Sequence, residues 1–283
     1  MTEPKTDLSI TSTNITRVNT SGMLPVIDLV ATEEPLEIII TWQQDGEAMR
    51  KNISVTMRTP GNDAALAAGF LFTEGIIKNA SAIKEINNSA FNSNSIVVNL
   101  SAAVSPHLQQ ADRNFYTSSS CGVCGKASID AIKTVTSFDN TNSSLSIAVK
   151  TLYSLPKLLR QQQETFNKTG GLHAAALFSN SGLIKLLQED VGRHNALDKL
   201  IGTALVQQWL PLTDHILLLS GRASFELIQK ATMAGIGIVA AVGAPSSLAV
   251  QLAEESGITL VGFLRNNSCN IYAHPERIIA ADK

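Results

Sequence analysis

Hydrophobic and polar positions divide this chain into two grammars. Over residues 36–42 and again over 52–58, β-branched residues alternate with polar ones or run together, which predicts two strands with a turn at 43–46. Asn62-Asp63 then opens an amphipathic helix that carries Leu66, Phe70 and Leu71 on one face and ends near Gly75. A further strand is predicted over 95–100. Residues 1–24, rich in Ser, Thr and Asn, read as a loose lead-in, and 25–112 as a small α+β unit. Helical signals follow over 126–135 and 152–165, separated by a polar surface loop at 139–144.

Beyond Gly170-Gly171 the pattern changes. Residues 174–178 and 183–187 predict a hairpin around Asn180-Ser181-Gly182, followed by a helix over 193–208. Strands at 216–219, 236–242 and 258–264 then alternate with helices at 225–234 and 247–255, and a short strand at 270–272 closes the series. Continuous apolar strands interleaved with helices predict a largely parallel sheet covered on both faces, so 113–283 reads as a second, α/β domain.

Composition narrows the function classes. At 283 residues and 44 % hydrophobic, the chain can bury one large core or two unequal ones. Twenty-two basic against 24 acidic residues leave a formal charge of −2, without the basic excess that holds a nucleic-acid backbone. No apolar stretch follows Met1-Thr2-Glu3-Pro4, and no run approaches the ~18 apolar residues of a membrane span, so neither a secretory signal nor a membrane protein is expected. Three cysteines do not make a disulfide framework; the expected setting is the cytoplasm, where thiols stay reduced and a close pair is chemical or metal-binding.

The sharpest chemical signal is Ser119-Ser120-Cys121-Gly122-Val123-Cys124-Gly125-Lys126. Two thiols separated by two residues can reach one another, and the flanking glycines leave the sulfurs uncrowded. A helix starting near Lys126 would aim free amides and a partial positive charge at the loop, favouring a thiolate that can hold an extra sulfur as a persulfide. Two other chemistries share this spacing. Half of a zinc site would need Cys269 and a histidine to complete it, and a thioredoxin-like redox pair would need a strand-then-helix setting absent upstream. No bound metal is expected.

Other positions gather weaker signals. Thr169-Gly170-Gly171-Leu172-His173-Ala174 and Glu189-Asp190-Val191-Gly192-Arg193-His194-Asn195 bring carboxylates, a guanidinium and imidazoles to element junctions. Arg193 and first-turn amides could hold an anion, with His194 or Asp190 handling a proton. The plainer alternative is a helix cap, with Asp190 on the amides and Arg193 paired to a carboxylate. Ser220-Gly221-Arg222-Ala223-Ser224, Gly243-Ala244-Pro245-Ser246-Ser247 and Arg265-Asn266-Asn267-Ser268 each follow the C-terminal end of a predicted strand, the edge at which open α/β sheets bind ligands. Together they suit an extended, multiply phosphorylated ligand, while the absence of G-x-G-x-x-G and Walker patterns disfavours an ordinary dinucleotide or ATP. His107 and His215 read as surface or core, and Cys269 as a strand residue.

These blocks carry a resemblance. Cys121-Gly122-Val123-Cys124-Gly125, His173-Ala174-Ala175-Ala176, Glu189-Asp190-Val191-Gly192-Arg193-His194, Ala196-Leu197-Asp198-Lys199, Arg222-Ala223-Ser224 and Leu260-Val261-Gly262-Phe263 resemble the FdhD family of formate dehydrogenase accessory sulfurtransferases. Gly69-Phe70-Leu71 and Thr73-Glu74-Gly75-Ile76-Ile77 extend the likeness upstream. The resemblance implies a cytoplasmic protein that takes sulfur from a cysteine desulfurase as a persulfide on Cys121, with Cys124 assisting, and passes it to the molybdenum cofactor before insertion into the formate dehydrogenase catalytic subunit. It implies that bis-molybdopterin guanine dinucleotide lies on Phe263, Leu264, Arg265, Asn266, Asn267 and Ser268, with Arg222, Ser224, His173, Arg193 and His194 as further contacts. It also implies a cytidine-deaminase-like three-layer α/β/α domain with a smaller N-terminal unit, and a homodimer. A deaminase activity is disfavoured, since Ser120 rather than proline precedes Cys121 and the one His-x-Glu, at His274-Pro275-Glu276, comes after the cysteine pair. The remaining alternative is a chaperone that binds the cofactor without transferring sulfur.

Overall fold

The structure, a computed structural model, describes residues 7–89, 92–102, 104–108, 138 and 145–280. The predicted loop at 139–144, the helix at 126–135 and the Cys121–Cys124 motif lie outside the described residues. The first described elements correct the expected lead-in: β1 (Ile10–Asn19) and β2 (Gly22–Ala31) form an antiparallel hairpin from Ile10 opposite Ala31 to Asn19 opposite Gly22. The composition looked like linker, but Ile10, Thr11, Thr13, Ile15, Thr16 and Val18 are β-branched and favour an extended, pleated backbone even where the strand is mostly exposed. Asn19 turns the chain by accepting the Ser21 amide at 2.8 Å, and Gly22 supplies a φ of 124°.

A four-stranded sheet follows, ordered β4-β3-β6-β5. Its members are β3 (Glu34–Gln44), β4 (Glu47–Arg58), β5 (Ile83–Asn88) and β6 (Ser95–Leu100), with β3 and β6 parallel and the outer pairs antiparallel. The predicted turn narrows to Asp45-Gly46, whose φ values of 53° and 84° suit the two-residue turn that matches strand twist. Strand β5 was not anticipated. Helix α1 (Asp63–Thr73) begins where predicted, but Asn62 does not cap it: at φ 55° its side chain donates instead to Gln188 at 2.8 Å. Asp63 receives the buried Arg58 guanidinium through two 3.0 Å hydrogen bonds, tying the end of β4 to the helix start.

The rest of the chain builds a six-stranded sheet ordered β13-β12-β11-β10-β8-β9. After β7 (Ile147–Ala148) come α2 (Val149–Gln162) and α3 (Glu164–Thr169), then β8 (His173–Phe178), β9 (Ile184–Asp190) and α4 (Arg193–Val206). The chain continues through β10 (Ile216–Leu219), α5 (Phe225–Met233), β11 (Ile238–Ala241), α6 (Ser247–Glu255), β12 (Thr259–Arg265), β13 (Ser268–Ala273) and β14 (Ile278–Ile279), which pairs with β7. The expectation of a largely parallel sheet is corrected. Only β10, β11 and β12 are mutually parallel; β8, β9 and β13 run antiparallel to their neighbours. The apolar runs gave burial on both faces, which β8 shares, and burial does not encode direction.

Alternate residues of these strands feed two cores. Ala175, Leu177, Leu217, Leu219, Val239 and Ala241 join the larger one, which takes in α4, α5, α6, α1 and the four-stranded sheet. Ala174, Ala176, Phe178, Ile216, Leu218, Ile238 and Ala240 face the smaller one, closed by Leu152, Leu155 and Leu159 of α2. Helices α1 and α4 cross at bare glycines: a Cβ on Gly69 would come within 1.9 Å of the Asp198 carbonyl oxygen, and one on Gly202 within 1.8 Å of that of Ala65. Polar groups at this interface are paired. Lys230 meets Asp198 at 2.9 Å, Thr73 at 2.9 Å and Glu74 at 3.2 Å; burial disfavours its charge, but the two carboxylates outweigh that and hold the ammonium above its ordinary pKa. No helix among the described residues is long and apolar enough to cross a membrane.

Candidate functional site

The C-terminal ends of β10, β11 and β12 meet at one edge, where two loops are knitted by backbone hydrogen bonds. Gly243 donates to Gly221 at 2.9 Å, Ala223 to Ala244 at 3.2 Å, Ser246 to Ala223 at 3.0 Å and Phe263 to Gly243 at 3.0 Å. The packing leaves little space for a side chain: a Cβ on Gly221 would sit 3.2 Å from His173 Nδ1, and one on Gly243 would sit 3.0 Å from both Arg222 Cγ and the Gly221 carbonyl oxygen. The edge therefore exposes backbone and small side chains, with the exposed Arg222 and Arg265 beside it.

The expected contact stretch at 263–268 divides in two. The pairing of β12 with β13 shifts register between Gly262 and Arg265, and Phe263, at φ 50°, turns its ring outward with 39 % of its surface exposed. Arg265, Asn266, Asn267 and Ser268 form the exposed tip. Leu264 does not belong with them, because its side chain lies 1 % exposed in the smaller core and only its backbone reaches the edge.

The Glu-Asp-Val-Gly-Arg-His block is mostly architecture. Asp190, fully buried, accepts hydrogen bonds from the Gly192 amide (2.8 Å), the Thr59 amide (3.2 Å) and Asn195 Nδ2 (3.2 Å), and pairs with Lys199 at 2.7 Å. The expected cap is therefore not formed: none of the amides of Arg193, His194 or Asn195 reaches Asp190, which instead fastens the turn before α4 to Thr59 and Lys199. Glu189, on the opposite side of β9, accepts the amides of Thr165 (3.1 Å) and Phe166 (3.0 Å) and so caps α3. Arg193 is not paired to a carboxylate among the described residues, and its Nε is buried without a hydrogen-bond partner. His194 lies 3.4 Å from Ser224 Oγ and 3.9 Å from Glu226, so Ser224 meets an imidazole rather than capping α5.

Between this edge and the α2–α3 elbow lies a cleft of ≈ 790 Å³, lined among others by Gln163, Phe166, His173, Ser220, Val242 and Asn266. His173, Ser220 and Asn266, from three separate sequence blocks, are thus brought together. Partial burial, with the Arg193 charge nearby, lowers the His173 pKa against the pull of Asp190, so the ring is neutral near pH 7. Gln163 and Phe166 were not anticipated; in the run Gln161-Gln162-Gln163 nothing separates the buried amide from its exposed neighbours. Cys269 packs against the smaller core, and burial raises its thiol pKa while a hydrogen bond with Tyr153 partly opposes this.

Residues 31–279 match the FdhD/NarQ family, a stretch that spans Cys121 and Cys124. Among its relatives is a "Sulfur carrier protein FdhD" of Mycolicibacterium paratuberculosis, 51 % identical over 258 residues that make up 89 % of this chain and 92 % of that protein. Another of that description, from Sulfolobus acidocaldarius, is 43 % identical over 96 % of this chain and 99 % of its own length. A crystal structure from Desulfotalea psychrophila, described as that of a formate dehydrogenase accessory protein, superposes with a TM-score of 0.73 at 25 % identity, covering 95 % of this chain and 99 % of the other. The chain belongs to the FdhD/NarQ family.

Proposed function

We propose that this protein is a sulfur carrier that serves formate dehydrogenase, with Cys121 as the carrying residue. The observation that bears the most weight is the position of Cys121-Gly122-Val123-Cys124 within the family match, whose relatives are described as sulfur carrier proteins over nine-tenths of the chain. The Cys121 thiolate attacks the outer sulfur of a persulfide on a cysteine desulfurase; a new S–S bond forms and the donor's own thiolate leaves. For delivery, the Cys124 thiolate attacks the inner sulfur at Cys121. This forms a Cys121–Cys124 disulfide, releases the outer sulfur as hydrosulfide to the molybdenum cofactor, and leaves the disulfide to be reduced by a cellular dithiol.

The acceptor is bis-molybdopterin guanine dinucleotide, bound as substrate along the strand-end edge. The close-packed glycines, exposed Arg222 and Arg265, outward Phe263 and neutral His173 support that reading. Arg222 and Arg265 hold phosphates, Phe263 offers a stacking face, and Asn266, Asn267 and Ser268 supply polar contacts. Arg193, His194 and Ser224 are further contacts in this reading, with His194 and Ser224 3.4 Å apart beside the same edge. We assign the protein to the cytoplasm, acting as a homodimer. Incubation with a desulfurase and cysteine, followed by mass analysis of peptides containing Cys121, should find one added sulfur (lost on reduction) in the native protein and none in Cys121→Ala. Undiminished sulfur delivery by Cys121→Ala would refute the proposal. A variant lacking both thiols that still supports formate dehydrogenase would instead identify a cofactor-binding chaperone.

A further inference from the structure

The β1–β2 hairpin has two faces that the rest of the chain treats differently. Its strands pair in register from Ile10 opposite Ala31 to Asn19 opposite Gly22, so residues opposite one another share a face and the face alternates along the ladder. On one face Thr13, Ile15, Val26 and Asp28 are all half-buried, β2 packs on α3, and Lys168 of α3 reaches Asp7 at 3.8 Å. On the other face every position beyond the Ile10–Ala31 base is exposed. That exposed face carries Met23, Pro25, Ile27 and Leu29 at alternate positions of β2, a row of roughly 20 Å, with Val18 across from Met23. Met23 and Ile27 have 74 % and 72 % of their surface in water.

Such a face is costly as it stands. Two strands alone are marginal in water, and single exposed apolar residues are ordinary where a contiguous row is not. The face has no ionisable side chain either: its β1 positions are Ser12, Asn14, Thr16 and Val18, and the Arg17–Asp28 pair lies on the other side of the ladder. A charged partner or an anionic membrane would find nothing there to hold. The complementary surface is another apolar, uncharged row, and a second copy of this chain always brings one. About a two-fold axis the row meets itself running the opposite way, Met23 toward Leu29 and Pro25 toward Ile27, with no like charges opposed. Pro25 cannot donate a hydrogen bond to an added strand, so the contact uses the face and not the edge of β2. We propose that this face of the hairpin is where two copies of the chain pair. The proposal rests on the homodimer reading above and adds which surface forms it; residues 10–30 of the hairpin precede the family match.

Sedimentation of the full-length protein over a range of concentrations tests it. The native chain should sediment as a dimer, and Ile27→Glu, which sets two carboxylates against each other, should weaken pairing by about a hundredfold or more. Ile27→Lys should do the same, and an equimolar mixture of the two variants should pair again. Val206→Glu, at an exposed apolar position ending α4, should leave the dimer intact. An Ile27→Glu protein that pairs as tightly as the native chain overturns the inference. So does a mixture of the two Ile27 variants that stays monomeric, or equal dissociation by Val206→Glu. In each of those cases the native dimer still stands, so this inference falls and the homodimer reading survives. A native chain that is monomeric at every concentration refutes both, and its recovery on phosphatidylcholine vesicles, lost in Ile27→Glu, would give the face to lipid instead.

Discussion

The two faces of the six-stranded sheet are built from the same strands and differ in how completely they are closed. On one face, α4, α5 and α6 pack with α1 and a second sheet behind them, and the ionisable groups caught inside are matched: Lys199 with Asp190, Lys230 with Asp198 and Glu74. On the other face, among the described residues, α2 supplies the cover, and past its end the sheet edge opens into the cleft where Gln163 keeps an unmatched donor. Unmatched buried donors are not confined to that cleft, since Arg193 Nε and His215 Nδ1 also lack partners among the described residues; what separates the faces is how far each is covered.

Substitutions can break that contrast in a graded way. The largest effect is expected from Lys230→Met, which strands Asp198 without its ammonium and should lower unfolding stability by about 3–5 kcal/mol; adding Asp198→Leu should recover much of the loss. Gly202→Ala forces α1 and α4 apart at the Ala65 carbonyl and should cost about 3 kcal/mol, measured by urea unfolding. On the other face, Leu155→Ala should cost about 2–4 kcal/mol by opening a cavity under α2. A loss there as small as that of an exposed residue would show that α2 is loosely seated.

The smallest effect is one of pH. Because the folded state binds a proton at His173 less readily than the unfolded chain, the unfolded state gains protons first as pH falls below the ordinary histidine value near 6.5. Stability should hold above that value and decline beneath it. His173→Gln should flatten the decline without removing it, since burial lowers the His215 pKa in the same direction. An unchanged slope in the variant would show that His173 titrates freely.

The sequence was most legible where local pattern and environment agree. Strand β10 and helix α6 begin and end where predicted, the first because Ile216–Leu219 is uniformly apolar, the second because Ser246 caps the helix by accepting the Ala249 amide at 3.3 Å. Strand direction was not legible, since the antiparallel pairing of β8 with β10 depends on contacts some forty residues apart that leave no periodic trace. The β1–β2 hairpin was obscured because Thr and Asn serve strands and linkers alike. At the site, the strand-end loops and His173 could be found from residue type and position. The isolation of Gln163 could not, because whether its Nε2 finds an acceptor depends on the tertiary surroundings of the α2–α3 junction, which the run Gln161-Gln162-Gln163 does not encode.

Glu189 and Asp190 are consecutive on β9, an edge strand of its sheet, and their side chains serve opposite faces. Edge strands are the part of a sheet most free to slide, and sliding by a single residue exchanges inside for outside. In this molecule such a slip would draw Glu189 away from the amides of α3 and Asp190 away from Lys199 together. The alignment of the outermost strand is thus guarded by two adjacent carboxylates acting as opposed latches, and the floor of the cleft inherits that fixity.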